Sequence, residues 1–401
     1  MTTSEDRVHS LLDRSGNGPL AGIVVADLSR VLAGPYCTML LADMGALVVK
    51  VESPGGDDTR GWAPPRLGEE STYYLSVNRN KHSIALDLKS PADLAVVRAI
   101  IERADVLVEN FKPGGLEKFG LDYETVSRDR PDLVYASISG FGTGPGADLP
   151  GYDLLAQAVS GMMDLTGYAD GEPLRVGVAL FDVMTGLHAA TGILAALHER
   201  GRSGRGQHIE LNLLMSALSG LVNQSGAYAV AGVTPSRLGN DHPSLHPYGP
   251  FPARDKELII AVGNDSQFAA LCRVLGVPEL SRDARYTTNA ARNEHREALR
   301  TLLVDRLRTR DAADWFALLK AANVPAAPIL TVAEGTRFAE ELALAPVVVA
   351  GGDGRAIPTV RHPIDFSRST VDYPIAPPPL DADRAAVLAW LAQAPAATPA
   401  S

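Results

Sequence analysis

The stretch Leu174–Gly192, LRVGVALFDVMTGLHAATG, carries one carboxylate, Asp182, in a run of apolar and small residues. A carboxylate in such surroundings costs free energy unless hydrogen bonds hold it or a reaction uses it. Val183, Leu187, Ala190, Leu194 and Leu197 fall on one face of a helix that begins just after it. That spacing predicts Asp182 at or near the N-cap, where capping alone contributes about 1 kcal/mol. The same placement suits a covalent nucleophile. A helix N-terminus favours the ionised carboxylate, and nearby amides can hold an oxyanion. Carboxylates form covalent intermediates, and apolar neighbours keep water from an activated acyl group. On these residues alone, cap and nucleophile both stand.

Other runs are weaker. In NRNKHSIALDL (78–88), Arg79 and Lys81 precede a strand. In ENFKPGGLEKFG (109–120), Asn110, Phe111, Lys112 and Lys118 follow one. At a strand's carboxyl end, cations can meet the phosphates of a nucleotide-bearing ligand and an aromatic can contact its base. Solvated charge is the simpler source of either run taken alone. GFGTGPGADLPG (140–151) fits G-x-G-x-x-A through Gly142, Gly144 and Ala147, but Pro145 and Pro150 stand where a helix has to begin. A glycine-rich loop, open to close backbone approach, is the better reading. His242 and His246 are four apart, but Pro243 and Pro247 break any helix that would align them, so no metal site is expected.

The elements that must position these residues alternate. Strands are expected at 21–29, 47–52, 82–88, 105–110, 132–139 and 206–214. Helices are expected at 36–46, 91–104, 151–164 and 183–200. This order predicts an α/β fold with a mostly parallel sheet and helices on both faces. From about Val222 the pattern changes to a hairpin in YGPFPARDKELIIAVG (248–263), then helices near 265–275, 292–308 and 312–322. The expected organisation is a loose start (1–18), a large domain (19–222), a smaller α+β domain (223–330), a return to the large domain (331–390) and a loose tail (391–401). The 401 residues are 46% hydrophobic with net charge −10, which argues against general nucleic-acid binding. Cys37 and Cys272 allow no disulfide framework. With no signal segment and no run of 18 apolar residues, a cytoplasmic protein without a membrane span is expected.

Taken together, the motifs resemble those of family III CoA-transferases, which include formyl-CoA and carnitine CoA-transferases and acyl-CoA racemases. The likeness runs through VADLSRVLAGPYCTMLLADMGALVVKVESPGGDDTRGW (25–62), NRNKHSIALDL, ADVLVENFKPGGLEKFGL, GYDLLAQAVSGMMDLTG (151–167) and VGVALFDVMTGLHAATGILAALHERGRSGRGQHIELNLL (176–214). It continues in GNDHPSLHPYGPF and AVGNDSQFAALCRVLG. The resemblance implies a Rossmann-like large domain, a small domain and an interlocked homodimer. It implies that Asp182 attacks an acyl-CoA, passing through an anhydride and an aspartyl-CoA thioester before CoA reaches a carboxylic acid acceptor. CoA enters as a thioester substrate; no tightly bound cofactor is implied. CoA contacts carry over to Val31, Leu32, Ala33, Lys81, Asn110, Phe111, Lys118 and Phe119.

Some positions depart from the pattern. Ser53 and Ser139 stand where relatives have phosphate-binding cations, leaving Arg60 or Arg79 as substitutes. Racemase relatives carry a histidine where this chain has Tyr152. Tyrosine, with a pKa of about 10, is a poor base for an α-proton at neutral pH. Transfer is therefore expected over its alternative, α-methylacyl-CoA racemisation. RLGNDHPSLHPYG (237–249) lacks the glycine run of formyl-CoA transferase and is closer to dicarboxylate-type enzymes such as succinyl-CoA–glutarate transferase. Tyr152, Arg175, His242 and Tyr248 are the candidates for contact with the acceptor.

Overall fold

The computed structural model describes residues 18–393. The expected loose ends lie outside those residues except at their inner edges, where Arg384–Ala392 is helical. Among the described residues, one compact unit runs to Met162, includes Val176–Val233 and resumes at Ala345. The second comprises Met163–Arg175 and Thr234–Leu344. These boundaries differ from those expected at 222/223 and 330/331, and the excursion at 163–175 had no signal in hydrophobic periodicity.

The first unit is built on six parallel strands: β1 (Val24–Asp27), β2 (Leu47–Glu52), β3 (Lys81–Ala85), β4 (Val106–Glu109), β5 (Val134–Ser139) and β6 (His208–Asn212). Their order is β3-β2-β1-β4-β5-β6. Most are short runs of β-branched residues buried on both faces, as a covered parallel sheet requires. Side chains alternate between two cores: Val24, Ala26 and Val49 enter one, Val25 and Val48 the other. Helix α1 (Ala33–Asp43) follows β1, and α2 (Pro91–Arg103) follows β3. Ser90 caps α2 and Pro91 sits at its first turn, the reason this helix is legible in the sequence. The order reverses between β1 and β4, which are adjacent, so the crevice for a ligand opens beyond their carboxyl ends.

The crossover from β5 to β6 carries α3 (Asp153–Val159) and α4 (Leu180–Ser203); α5 (Leu213–Gly220) follows β6. The helix expected over 151–164 breaks, because Ser160 ends α3 and Gly161 turns with φ +90°. α4 is apolar enough by composition to cross a membrane, but Phe181, Ala189, Ala190, Ile193 and Ala196 use that apolarity in the core. It packs closely on α1 through Gly186, where an added Cβ would meet the Ala33 carbonyl at 2.7 Å and Tyr36 at 3.2 Å. Gly186 lies one turn beyond Asp182, so this contact sets the distance between Asp182 and the start of α1.

The second unit has a three-stranded antiparallel sheet, β7 (Tyr248–Pro252), β8 (Glu257–Ala261) and β9 (Ala326–Pro328), in the order β9-β8-β7. Its core gathers Phe251, Leu258, Phe268, Leu303 and Trp315. The helix expected over 292–308 divides at His295. At Thr331, a capping box of Thr331 and Glu334 starts a helix over Val332–Glu341. An antiparallel hairpin, Val347–Gly352 with Arg355–Val360, follows in the first unit.

Because Gly186 has no room for a side chain, Gly186→Val is expected to separate α1 from α4. Denaturant unfolding should report a loss of about 1–3 kcal/mol; unchanged stability would contradict the close approach.

Candidate active site

Asp182 is the third residue of α4, not its cap. The helix starts three residues earlier than periodicity indicated, and a different side chain caps it. Asp153, at the start of α3, accepts the Phe181 N–H at 2.7 Å and the Asp182 N–H at 3.2 Å through Oδ1. Its Oδ2 accepts from Gln157 Nε2 at 2.5 Å. Gln157 in turn accepts the Val176 N–H at 2.8 Å and donates to the Val178 carbonyl at 3.2 Å. Asp153 and Gln157 thus strap the chain entering α4. Both were within a recognised motif, and their i, i+4 spacing was the signal that could have singled them out.

Capping by Asp153 leaves the Asp182 side chain without structural work. No hydrogen bond contributes to its electrostatics. Burial, reinforced by the charge of Asp153, pushes its pKa up to about 7. Such a carboxylate is held at a cost, the usual mark of a functional group. The α4 amides expected to hold an oxyanion are occupied: Leu180 N–H bonds Val178, Phe181 and Asp182 bond Asp153, and Val183 bonds Ala179. The first turn of α1 is different. It has no side-chain cap at Leu32, and Leu32 and Ala33, where it begins, line the cleft into which Asp182 opens.

That cleft has a volume of about 570 Å³. The structure brings Val31, Leu32, Ala33, Asn110, Phe111, Tyr152 and Asp182 together around it, with Arg30, Trp62, Lys112 and Ser139. A larger cavity of about 690 Å³ shares Phe111, Lys112 and Ser139 but lacks Asp182. The smaller one is the candidate site because it holds the unbonded carboxylate. Trp62 meets Tyr73 edge-on at 5.3 Å. Burial and then the charges of Asp182 and Asp153 push the Tyr73 phenol up to about 12, so it stays a hydrogen-bond donor at neutral pH.

Several predicted contacts lie elsewhere. Lys81 is fully buried, and its ammonium bonds Asp27 at 3.1 Å, the Pro35 carbonyl at 2.9 Å and Asn78 at 3.0 Å. Its three donors are used, so it is a structural cation and not a phosphate contact. Arg60 and Arg79 are likewise committed. Arg60 forks onto Glu52 at 2.8 and 2.7 Å, and Arg79 bonds Asp43 and Thr359. The cations that do line the cleft are Arg30 and Lys112, each in an exposed pair, with Asp58 and Asp148 respectively. Such pairs are weak and readily exchanged. Asn110 braces the Arg30 backbone, accepting its N–H at 2.9 Å and donating to its carbonyl at 2.7 Å. Lys118 is exposed over the Phe119 ring at 5.0 Å, and Phe119 packs on the sheet core, apart from the cleft lining. Arg175, His242 and Tyr248 belong to the second unit, where the rings of His242 and Tyr248 lie 5.1 Å apart.

The chain matches the description of CoA-transferase family III over residues 20–384. It is 45% identical over 389 residues to a succinate–glutarate CoA-transferase from Agrobacterium fabrum, covering 93% of this chain and 96% of that one. An acetyl-CoA:oxalate CoA-transferase from Acetobacter aceti is 42% identical over 338 residues, 84% of this chain and 87% of its own. The crystal structure of a CAIB/BAIF family protein from Brucella suis superposes with a TM-score of 0.84 at 42% identity, covering 94% of this chain and all of that one (100%). The chain therefore belongs to the family III CoA-transferases and is an enzyme of that class. The racemase alternative is not favoured by these relatives, which are named as transferases.

The raised pKa of Asp182 has a thermodynamic consequence. The folded state binds this proton more tightly than the unfolded chain, whose aspartate titrates near 3.9. The favourable contribution is full below that value and is lost as pH rises through about 7. Asp182→Asn removes the loss. Relative to wild type it should gain about 2 kcal/mol more at pH 8 than at pH 5 by denaturant unfolding. A difference that does not change with pH would contradict the shift.

Proposed function

We propose that this enzyme moves CoA from a dicarboxylic acyl-CoA of the succinyl type to a small carboxylic acid acceptor of the glutarate type, with Asp182 as the covalent nucleophile. The carrying observation is Asp182 itself: a carboxylate without a side-chain hydrogen bond among the described residues, opening into a cleft beside the uncapped first turn of α1. The names of the relatives support the substrate class.

The chemistry balances on this one side chain. The Asp182 carboxylate attacks the donor thioester carbonyl, forming an anhydride and releasing CoA thiolate. The thiolate attacks the aspartyl carbonyl, giving an aspartyl-CoA thioester and the free donor acid. The acceptor carboxylate then attacks this thioester to make a second anhydride, releasing CoA thiolate again. Thiolate attack on the acceptor carbonyl yields the new acyl-CoA and restores Asp182. Each step places negative charge on a carbonyl oxygen, which the α1 amides can stabilise. Every intermediate is an anhydride or thioester, so excluding water preserves the transfer.

Val31, Leu32, Ala33, Asn110 and Phe111 form the proposed CoA wall. Lys118 and Phe119 lie further along the same connection, and Arg30 and Lys112 replace the phosphate cations absent at Ser53 and Ser139. Tyr152, which lines the cleft with Asp182, is assigned to the acceptor. The second unit is read as the smaller α+β domain, and the assembly as an interlocked homodimer. Leu154 and Val159 on α3, Leu187 and Leu194 on α4 and Met215 and Leu218 on α5 are exposed. Apolar surface of that kind favours a protein partner over water.

The test mixes the enzyme with succinyl-CoA and a panel of mono- and dicarboxylates and reads new acyl-CoA masses. Glutaryl-CoA or a similar dicarboxylate product is expected. Asp182→Ala should lose about a thousandfold or more in exchange while remaining folded. Full exchange by that variant would refute the nucleophile, and exclusive transfer to monocarboxylates would refute the substrate class.

A further inference from the structure

We propose that Asp57 is a positioning residue that holds Val31 in a left-handed backbone conformation and so fixes the wall of the cleft. The inference rests on this cleft being the catalytic one.

Val31 has φ +69°, a region that β-branched side chains rarely adopt. Strain of this kind persists only where the surroundings over-determine it, and it gathers at functional sites. Here the cause is visible. The Val31 N–H points at the Asp57 carboxylate, 3.3 Å from Oδ1 and 3.2 Å from Oδ2. Asp57 cannot turn away. Oδ2 accepts from the fully buried Lys50 ammonium at 3.0 Å, while Oδ1 accepts the Thr59 N–H at 3.0 Å and the Thr59 hydroxyl at 2.7 Å. Its own N–H is held by Glu52 at 2.9 Å.

The neighbours of Val31 show what this restraint protects. On one side, Asn110 fixes both backbone groups of Arg30. On the other, the chain passes through Leu32 directly into α1. Val31, Leu32 and Ala33 all line the cleft with Asp182. Release of Val31 to a negative φ would swing the start of α1 relative to Asp182. Asp57 is buried behind the lining and not part of it, reaching the cleft only through its bond to Val31. Its effect on the reaction passes through one backbone angle.

A glycine at 31 needs no such restraint, because it adopts positive φ without steric cost. The test is therefore a double-mutant cycle in kcat. Asp57→Asn is expected to lower kcat about 10- to 100-fold in the wild-type background. Measured in a Val31→Gly background, the same Asp57→Asn change should cost at most about threefold, since the angle no longer depends on the carboxylate. Equal losses in both backgrounds, or no loss in either, would overturn the proposal. Where Asp57→Asn fails to fold because Lys50 loses its counter-charge, Asp57→Glu takes its place in the cycle: it keeps the charge and displaces the acceptor from Val31. Asp182→Ala assayed alongside separates the two readings. Full turnover by that variant would remove the catalytic cleft, whereas its inactivity together with equal Asp57 losses would remove only the positioning role.

Discussion

The structure turns on two carboxylates at the start of one helix. Asp153 accepts the amides of Phe181 and Asp182, which relieves Asp182 of capping its own helix and sets a like charge beside it. The first effect frees the side chain for chemistry. The second, added to burial, raises its pKa to about 7. A carboxylate with that pKa is more basic than an ordinary aspartate and still partly ionised at neutral pH, the compromise a nucleophile needs. The arrangement costs stability once Asp182 ionises.

The sheet supplies the other half of the site. Where its order reverses, β1 and β4 end side by side, and Asn110 ties their extensions together. Beneath them lies a buried network of charges. Asp27 meets Lys81 at 3.1 Å, and Lys50 meets Asp57 at 3.0 Å, all essentially buried. Buried pairs of this kind add little net stability compared with an apolar replacement, though breaking one is costly. Their use here is geometric: they fix where the Ser29–Pro35 backbone runs, through Ser29, Val31 and Pro35.

Much of this was legible in the sequence. Short β-branched runs alternating with capped, periodic helices marked the parallel sheet, and Ser90-Pro91 placed a helix start within one residue. Asp182 stood out because it lacked apolar company's usual excuse, an adjacent cation or polar run. What could not be read was which polar group answers which. Lys81 and Lys112 look alike as lysines near strand ends, yet one is buried in an ion pair and the other lines the cleft. The cap of α4 comes from 28 residues before Phe181, and Asp57 reaches Val31 across 26 residues. Such pairings depend on tertiary placement and leave no local periodicity. Helix Val332–Glu341 is a different case: its Thr331–Glu334 box is a local signal, plain in the sequence.

The most direct test of the account follows oxygen. In the proposed cycle, the acceptor acid leaves one of its carboxylate oxygens on Asp182 when the second anhydride is resolved by thiolate. The enzyme is turned over with its acyl-CoA donor and an acceptor whose carboxylates carry oxygen-18, then digested, and the peptide containing Asp182 is weighed. The account predicts heavy oxygen in the side chain of Asp182 and in no other carboxylate. Turnover that leaves Asp182 unlabelled, or label at a different residue, would contradict it.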